Sequence, residues 1–150
     1  MFAYEFPKLL NSFNFKKGSE IITTSLTFST TVAPIYQLGL VPHFIGVVKN
    51  KFVADPMQIE KCINNKTVAM MIPNLLGNIA DWKKINKIAI ENNIECDLAL
   101  ERLMACGFGI CQGCTVEKVQ NENSKSSYRS KFALACMDGP IFSAKEIMKC

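Results

Sequence analysis

Between Gly18 and about Ile94 the apolar positions switch period in a regular alternation of strand-like and helix-like runs. EIITT (20–24) is a short β-rich run, and TTVAPIYQLG (30–39) reads as a helix ending at a glycine, despite the internal Pro34. VPHFIGVV (41–48) is β-rich again. DPMQIEKCI (55–63) reads as a helix with Pro56 in its first turn, where a missing N–H costs least. TVAMMIP (67–73) is a continuous apolar run, the pattern of a strand buried on both faces. ADWKKINKIAIENN (80–93) then puts Trp82, Ile85, Ile88 and Ala89 on one helical face. Three βα units in series predict a parallel sheet with right-handed crossovers.

After Asn93 the alternation stops, and cysteine and glycine become dense. QNENSKSSYRS (120–130) has the composition of a loop, and a compact tail, KFALACMDGPIFSAKEI, follows it. No internal repeat is visible, and no long linker marks the change. A boundary near 94–97 divides the chain into residues 1–95 and 96–150. The expected fold class is therefore α/β: a truncated three-βα parallel-sheet fragment followed by a small cysteine-rich α+β module.

Composition narrows the function classes. The 150 residues suffice for one domain or two small ones, and 49% hydrophobic with 20% charged residues is ordinary for a soluble chain. The net charge of +4 is mild, and the 17 basic residues are scattered (Lys16–Lys17, Lys83–Lys84, Lys125, Arg129, Lys131) rather than gathered into a stripe with aromatics. That argues against a nucleic-acid partner. No apolar run reaches the ~18 residues of a membrane span, so no membrane partner is expected. The opening MFAYEFPKLL has no basic n-region, apolar h-region or small-residue cleavage site, which predicts a cytoplasmic, reducing setting. Seven cysteines there read as ligands or buried thiols rather than disulfides.

KKGSEIITTSLTFSTTVAPIYQLGLVPHFIGV and INNKTVAMMIPNLLGNIADWKKINKIAIENNI resemble part of the large domain of the sugar aminotransferases and dehydratases that use vitamin B6. IPNLLGN followed by DW is most similar to the lipopolysaccharide-type nucleotide-sugar 3-dehydratases, and the resemblance covers roughly residues 8 to 94. It implies a mostly parallel α/β sheet, with Phe28 in LTF matching the aromatic that stacks on the pyridine ring of pyridoxal phosphate. The phosphate-binding Gly/Ser turn of that family falls upstream of these residues. The acid that holds the pyridine nitrogen is not supplied by ECDLALERL, and the working lysine or histidine lies further on. Pyridoxal phosphate needs a group beside the imine carbon and a partner for its ring nitrogen, so none is expected to bind this truncated form. The plainer reading of Phe28 is a core aromatic with no ligand.

LALERLMACGFGICQGCTVEK and KFALACMDGPIFSAKEI, about residues 97 to 148, resemble a different family. This is the C-terminal iron–sulfur module of the electron-transfer subunit of type B dihydroorotate dehydrogenase, an enzyme of pyrimidine biosynthesis. The resemblance implies a [2Fe–2S] cluster on Cys106, Cys111, Cys114 and Cys136. FAD is implied only on a partner, a flavoprotein or dehydrogenase that exchanges electrons with the cluster.

The residues agree with that ligand set. The spacing C-x4-C-x2-C-x21-C has the plant-type ferredoxin opening. Gly107, Gly109 and Gly113 allow the loop to bend and approach a cluster, because glycine takes positive φ freely. Phe108 and Ile110 are expected to keep one side dry, and the fourth cysteine to arrive from a distant strand. Structural zinc on four thiolates and a metal-free thiol cluster stay open as alternatives, although zinc sites more often use two C-x2-C pairs. A single histidine, His43, excludes Rieske-type ligation and reads as structural. Cys62, Cys96 and Cys150 read as spare thiols, Asp138–Gly139–Pro140 as a plain turn, and Asp97 and Glu101 as charges near the start of a short helix. No catalytic residue is assigned.

Two function classes follow. One is single-electron transfer through a [2Fe–2S] cluster beside a flavoprotein. The other is a fragment of a B6-dependent nucleotide-sugar aminotransferase or 3-dehydratase of deoxysugar or lipopolysaccharide synthesis. Some 3-dehydratases of that family combine B6 and iron–sulfur chemistry, but their cluster cysteines do not resemble CGFGICQGC. A fusion of fragments from two genes is a third reading.

Overall fold

The computed structural model describes residues 13–94, 96–100, 102–120 and 127–147. The readings of the opening decapeptide, of Glu101, of 121–126 within the polar stretch and of Cys150 fall outside these described residues. The chain divides into two compact units, with the break between residues 95 and 96.

The first unit holds β1 (Glu20–Thr24), α1 (Ser29–Gln37), β2 (Val41–Ile45), α2 (Pro56–Cys62), β3 (Thr67–Met71) and α3 (Trp82–Glu91). The three strands are parallel and ordered β2-β1-β3. Local chemistry sets most of the boundaries. The Asp55 side chain accepts from the Met57 N–H at 3.0 Å and caps α2, with Pro56 as its first residue. Asp81 caps α3 by accepting from the Lys84 N–H at 3.3 Å. Helix α1 ends at Gly39 (φ +70°), where the Leu40 N–H reaches back to the Ile35 carbonyl at 3.0 Å. Helix α3 closes the same way at Asn93 (φ 54°), with the Ile94 N–H on the Ala89 carbonyl at 2.8 Å.

Burial identifies the strand that organises the sheet, and it is not the continuous apolar run. Every position of β3 is only half-buried, because β3 lies at an edge. The central strand is β1, buried from Ile21 to Thr24. Its alternate side chains enter two separate cores. Ile22 packs with Ile45, Ile59 of α2, and Ile85 and Ile88 of α3. Ile21 packs with Ile35 of α1 and Leu40. Two of the buried β1 residues are threonines, which disguise a central strand. Thr23 Oγ1 donates to the Met71 carbonyl at 2.8 Å and Thr24 Oγ1 to the Leu26 carbonyl at 3.0 Å, so neither hydroxyl is buried unpaired. On α3 the inner face carries Ile85, Ile88, Ala89 and also Asn86, while Trp82 is half-buried.

IPNLLGN and DW prove to be joined structurally. Asn74 Oδ1 accepts from both the Ala80 N–H and Trp82 Nε1, each at 3.1 Å, and Leu76 and Gly77 turn the chain at φ 54° and 79°.

One carboxylate links all three strands near the start of β1. Glu20 Oε2 accepts from Asn64 Nδ2, just before β3, at 2.8 Å and faces His43 Nδ1 of β2 at 3.2 Å. The Asn64 amide, then His43, hold the Glu20 carboxyl below the usual carboxylate range. A carboxylate that is more acidic folded than unfolded adds stability above its unfolded pKa and loses it as pH falls through the folded value. We expect Glu20→Gln to flatten the acid limb of the stability profile, below about pH 4.5, read as urea midpoints from pH 3 to 7.

The second unit is built from short pieces: β4 (Asp97–Ala99), β5 (Thr115–Glu117), α4 (Tyr128–Lys131), β6 (Phe132–Leu134), β7 (Ile141–Ser143) and α5 (Ala144–Ile147). Strands β4 and β7 pair antiparallel, as do β5 and β6. Its core is Cys114, Val116, Ala133, Leu134, Ala135 and Phe142. The end of the polar stretch, expected as loop, forms α4, whose Tyr128 ring meets that of Phe132 at a tilt of 38°, centroids 5.0 Å apart. Asp97 opens a strand rather than charging a helix. Among the described residues, no helix is long and apolar enough to cross a membrane.

Candidate metal centre

Strands β5 and β6 bring the cysteine loop and the tail together. The Ala135 N–H bonds the Cys114 carbonyl at 3.0 Å, extending the β5–β6 register and setting Cys136 diagonally beside Cys114. Cys136 lies just beyond the strand, in a turn. That turn is fixed by Asp138, whose Oδ2 accepts from the Leu134 N–H at 2.8 Å while its own N–H bonds the Leu134 carbonyl at 2.7 Å. The following Gly139 is a close approach: a Cβ there would collide with the Phe142 ring.

The four thiols stand as two pairs. Cys114 Sγ and Cys136 Sγ are hydrogen-bonded at 3.2 Å, and the Cys136 N–H also points at Cys114 Sγ, at 3.5 Å. Cys106 Sγ accepts from the Cys111 N–H at 3.4 Å, and Cys111 Sγ from the Gly113 N–H at 3.4 Å. None of the four is in a disulfide. Cys114 is 2% exposed, Cys106 and Cys136 are half-buried, and Cys111 faces solvent. Among the described residues, no three His, Cys, Asp or Glu side chains converge closely enough to hold a single ion.

Backbone amides make this a thiolate-stabilising loop. The N–H of Cys111, then that of Phe108, favour the Cys106 thiolate and lower its pKa to about 6. The Cys136 N–H lowers Cys114 in the same way. Cys136 moves up, because it shares a hydrogen bond with Cys114 and is partly desolvated, with negative charge on Cys114 and Cys106 adding to the effect.

The loop bends differently from the expectation in two respects. Gly107 (φ +74°) and Gly109 (φ +86°) take the left-handed conformation, and a Cβ on Gly109 would lie 3.1 Å from Met137 Cγ. Gly113 does not; the left-handed step falls on Gln112 (φ 56°), and Gly113 supplies its N–H to sulfur instead. Phe108 and Ile110 are 62% and 74% exposed. Asp138, read from the sequence as part of a plain turn, does fix one; Met137, which packs beside Gly109, carries no signal in the sequence.

The other candidates belong to the first unit. Phe28 is the N-cap residue of α1 and is 61% exposed, so it is not a core aromatic. It follows the carboxyl end of β1, the side on which parallel sheets bind ligands. The segment after α3 does not extend the parallel sheet: Asp97 pairs with Ser143 in the antiparallel β4–β7 pair of the second unit. An exposed Phe28 ring, with the described segment after α3 paired in a different sheet, does not fit pyridoxal phosphate. Cys62 packs against the core of the first unit.

Comparison with known proteins separates the chain at the same place. Residues 8–96 match the model of the DegT/DnrJ/EryC1/StrS aminotransferase family, and residues 101–148 that of the iron–sulfur cluster binding domain of dihydroorotate dehydrogenase B. GDP-4-keto-6-deoxy-D-mannose 3-dehydratase of Yersinia pseudotuberculosis is 38% identical over 74 residues, 49% of this chain and 19% of that protein. The electron transfer subunit of dihydroorotate dehydrogenase B (NAD(+)) from Caldanaerobacter subterraneus subsp. tengcongensis is 38% identical over 66 residues, 44% of this chain and 24% of that one. The structure of E coli GDP-4-keto-6-deoxy-D-mannose-3-dehydratase with bound hydrated PLP superposes with a TM-score of 0.58 at 29% identity, over 62% of this chain and 25% of its own. The chain thus spans about a quarter or less of each of these relatives. By the match over residues 8–96 it belongs to the DegT/DnrJ/EryC1/StrS aminotransferase family, carrying a second segment that matches the dihydroorotate dehydrogenase B iron–sulfur domain.

Proposed function

We propose that residues 96–150 hold one [2Fe–2S] cluster on Cys106, Cys111, Cys114 and Cys136 and relay single electrons to or from a flavoprotein dehydrogenase, with FAD on that partner. The observation that carries the reading is the pairing of the sulfurs. Two irons each need two protein thiolates, and the site offers an outer pair, Cys106 with Cys111, and an inner pair, Cys114 with Cys136. One tetrahedral zinc would instead draw all four to one point. When bound, the cluster supplies reversible one-electron chemistry.

The chain's own residues do the rest. Amides of Phe108, Ile110 and Cys111 hold Cys106 ready as a thiolate, so little proton release is needed at neutral pH for it to bind metal. The Leu134, Ala135 and Phe142 core packs with the inner pair, while Cys111 of the outer pair faces solvent, where a partner can approach. Residues 13–94 supply a parallel sheet of the kind found in the B6-enzyme relatives. An origin as part of a nucleotide-sugar aminotransferase or 3-dehydratase, inactive in this form, is the reading we propose for that half.

Anaerobically purified full-length protein should carry about two irons and two acid-labile sulfides per chain and show an electron paramagnetic resonance signal only after one-electron reduction. One zinc per chain without iron, in protein made without oxygen, would overturn the assignment.

A further inference from the structure

We infer that Cys114 and Cys136, when they carry no metal, close into a reversible disulfide that locks the buried half of the site; the lock's effect on iron loading rests on the cluster reading above, its formation does not. The pair is held by sheet register, not by a mobile loop. Its sulfurs are 3.2 Å apart, the Ala135 N–H is tied to the Cys114 carbonyl at 3.0 Å, and the Cys136 N–H points at Cys114 Sγ. A disulfide requires its sulfurs about 2 Å apart, so the closure is roughly an ångström of side-chain movement with the backbone register kept. The outer pair lacks this arrangement: Cys111 is exposed, and its loop bends through left-handed Gly109 and Gln112.

The oxidant named here is a low-molecular-weight disulfide such as oxidised glutathione. Cys136, the more accessible partner, first gives up its proton to solvent, then attacks one glutathione sulfur and expels the other glutathione as a thiolate, which takes up a proton in turn. Cys114, 3.2 Å away, then displaces the second glutathione. Two protein S–H bonds are lost, one S–S bond forms, and the protons and two electrons leave with two reduced glutathiones. Two of the four sulfurs are thereby withdrawn from metal binding until a reductant reopens the bond.

The test uses the full chain, stripped of metal, fully reduced, and titrated with oxidised glutathione. Alkylation and non-reducing peptide mapping should show two of the seven thiols lost and one linked peptide pair, Cys114 with Cys136, reversed by dithiothreitol. A Cys106–Cys111 link formed first, or glutathione retained on Cys136 beside an alkylatable Cys114, would overturn it. Parallel reconstitution with iron and sulfide keeps the two readings distinct. A link in protein that takes up no iron even when reduced supports the lock and removes the cluster reading; iron uptake with no link does the reverse.

Discussion

Serine at Cys106, Cys111, Cys114 or Cys136 will strip the protein of iron, and serine at Cys62 or Cys96 will leave it loaded. Loss of an outer-shell hydrogen bond already costs a metal site roughly 10- to 100-fold in affinity; loss of a direct ligand should exceed that, leaving under about a tenth of the wild-type iron. Cys106 is the most informative position. It is half-buried in an irregular loop outside the apolar core, so its hydroxyl replacement leaves the β5–β6 packing alone. Cys114 is a harsher case, because a serine at a 2% exposed core site also buries a hydroxyl. Iron and sulfide assays beside far-ultraviolet circular dichroism separate ligand loss from unfolding. Full iron and sulfide in any one of the four variants would remove that residue from the proposed ligand set.

Ile22→Ala will destabilise the first unit by about 2–5 kcal/mol, the range for truncating a fully buried isoleucine and leaving a cavity. Ile22 is 0% exposed at the centre of the middle strand, in a cluster fed by β2, α2 and α3. Neighbours from three elements cannot all collapse into the space. Ile90→Ala is the matched control: Ile90 sits on the outer face of α3 at 49% exposure, and its change should stay within about 0.5 kcal/mol. Trp82, the only tryptophan, packs against the same cluster, and its fluorescence reports this unit's unfolding in denaturant. Equal midpoint shifts for the two variants would contradict the central placement of β1.

The alternation of the first unit was legible because its signals are local. Asp55–Pro56 marks a helix start by capping, and Gly39 marks a stop by its left-handed φ. Sheet order was not legible in the same way. TVAMM looked more central than EIITT, since apolarity is visible in a sequence whereas the burial of Thr23 and Thr24 depends on carbonyl partners, one of them 48 residues away. In the second unit, strands of three residues are too short to show a period, and their pairing joins distant stretches, as with Leu98 and Phe142. The cysteine spacing pointed to a shared site but not to the division into an inner and an outer pair. That division follows from the β5–β6 register and from a backbone step at Gln112, a residue with no glycine-like signature.

The β4–β7 pair has an implication for how such a module travels. Its first and last strands lie side by side, and the Ala144 N–H closes on the Cys96 carbonyl at 2.8 Å. A stretch that enters and leaves at one place behaves as a cassette: a host chain can accept it at a single surface point without stretching its own backbone across the insert. Residues 96–147 are therefore suited to grafting onto unrelated scaffolds, wherever an exposed loop offers two neighbouring ends.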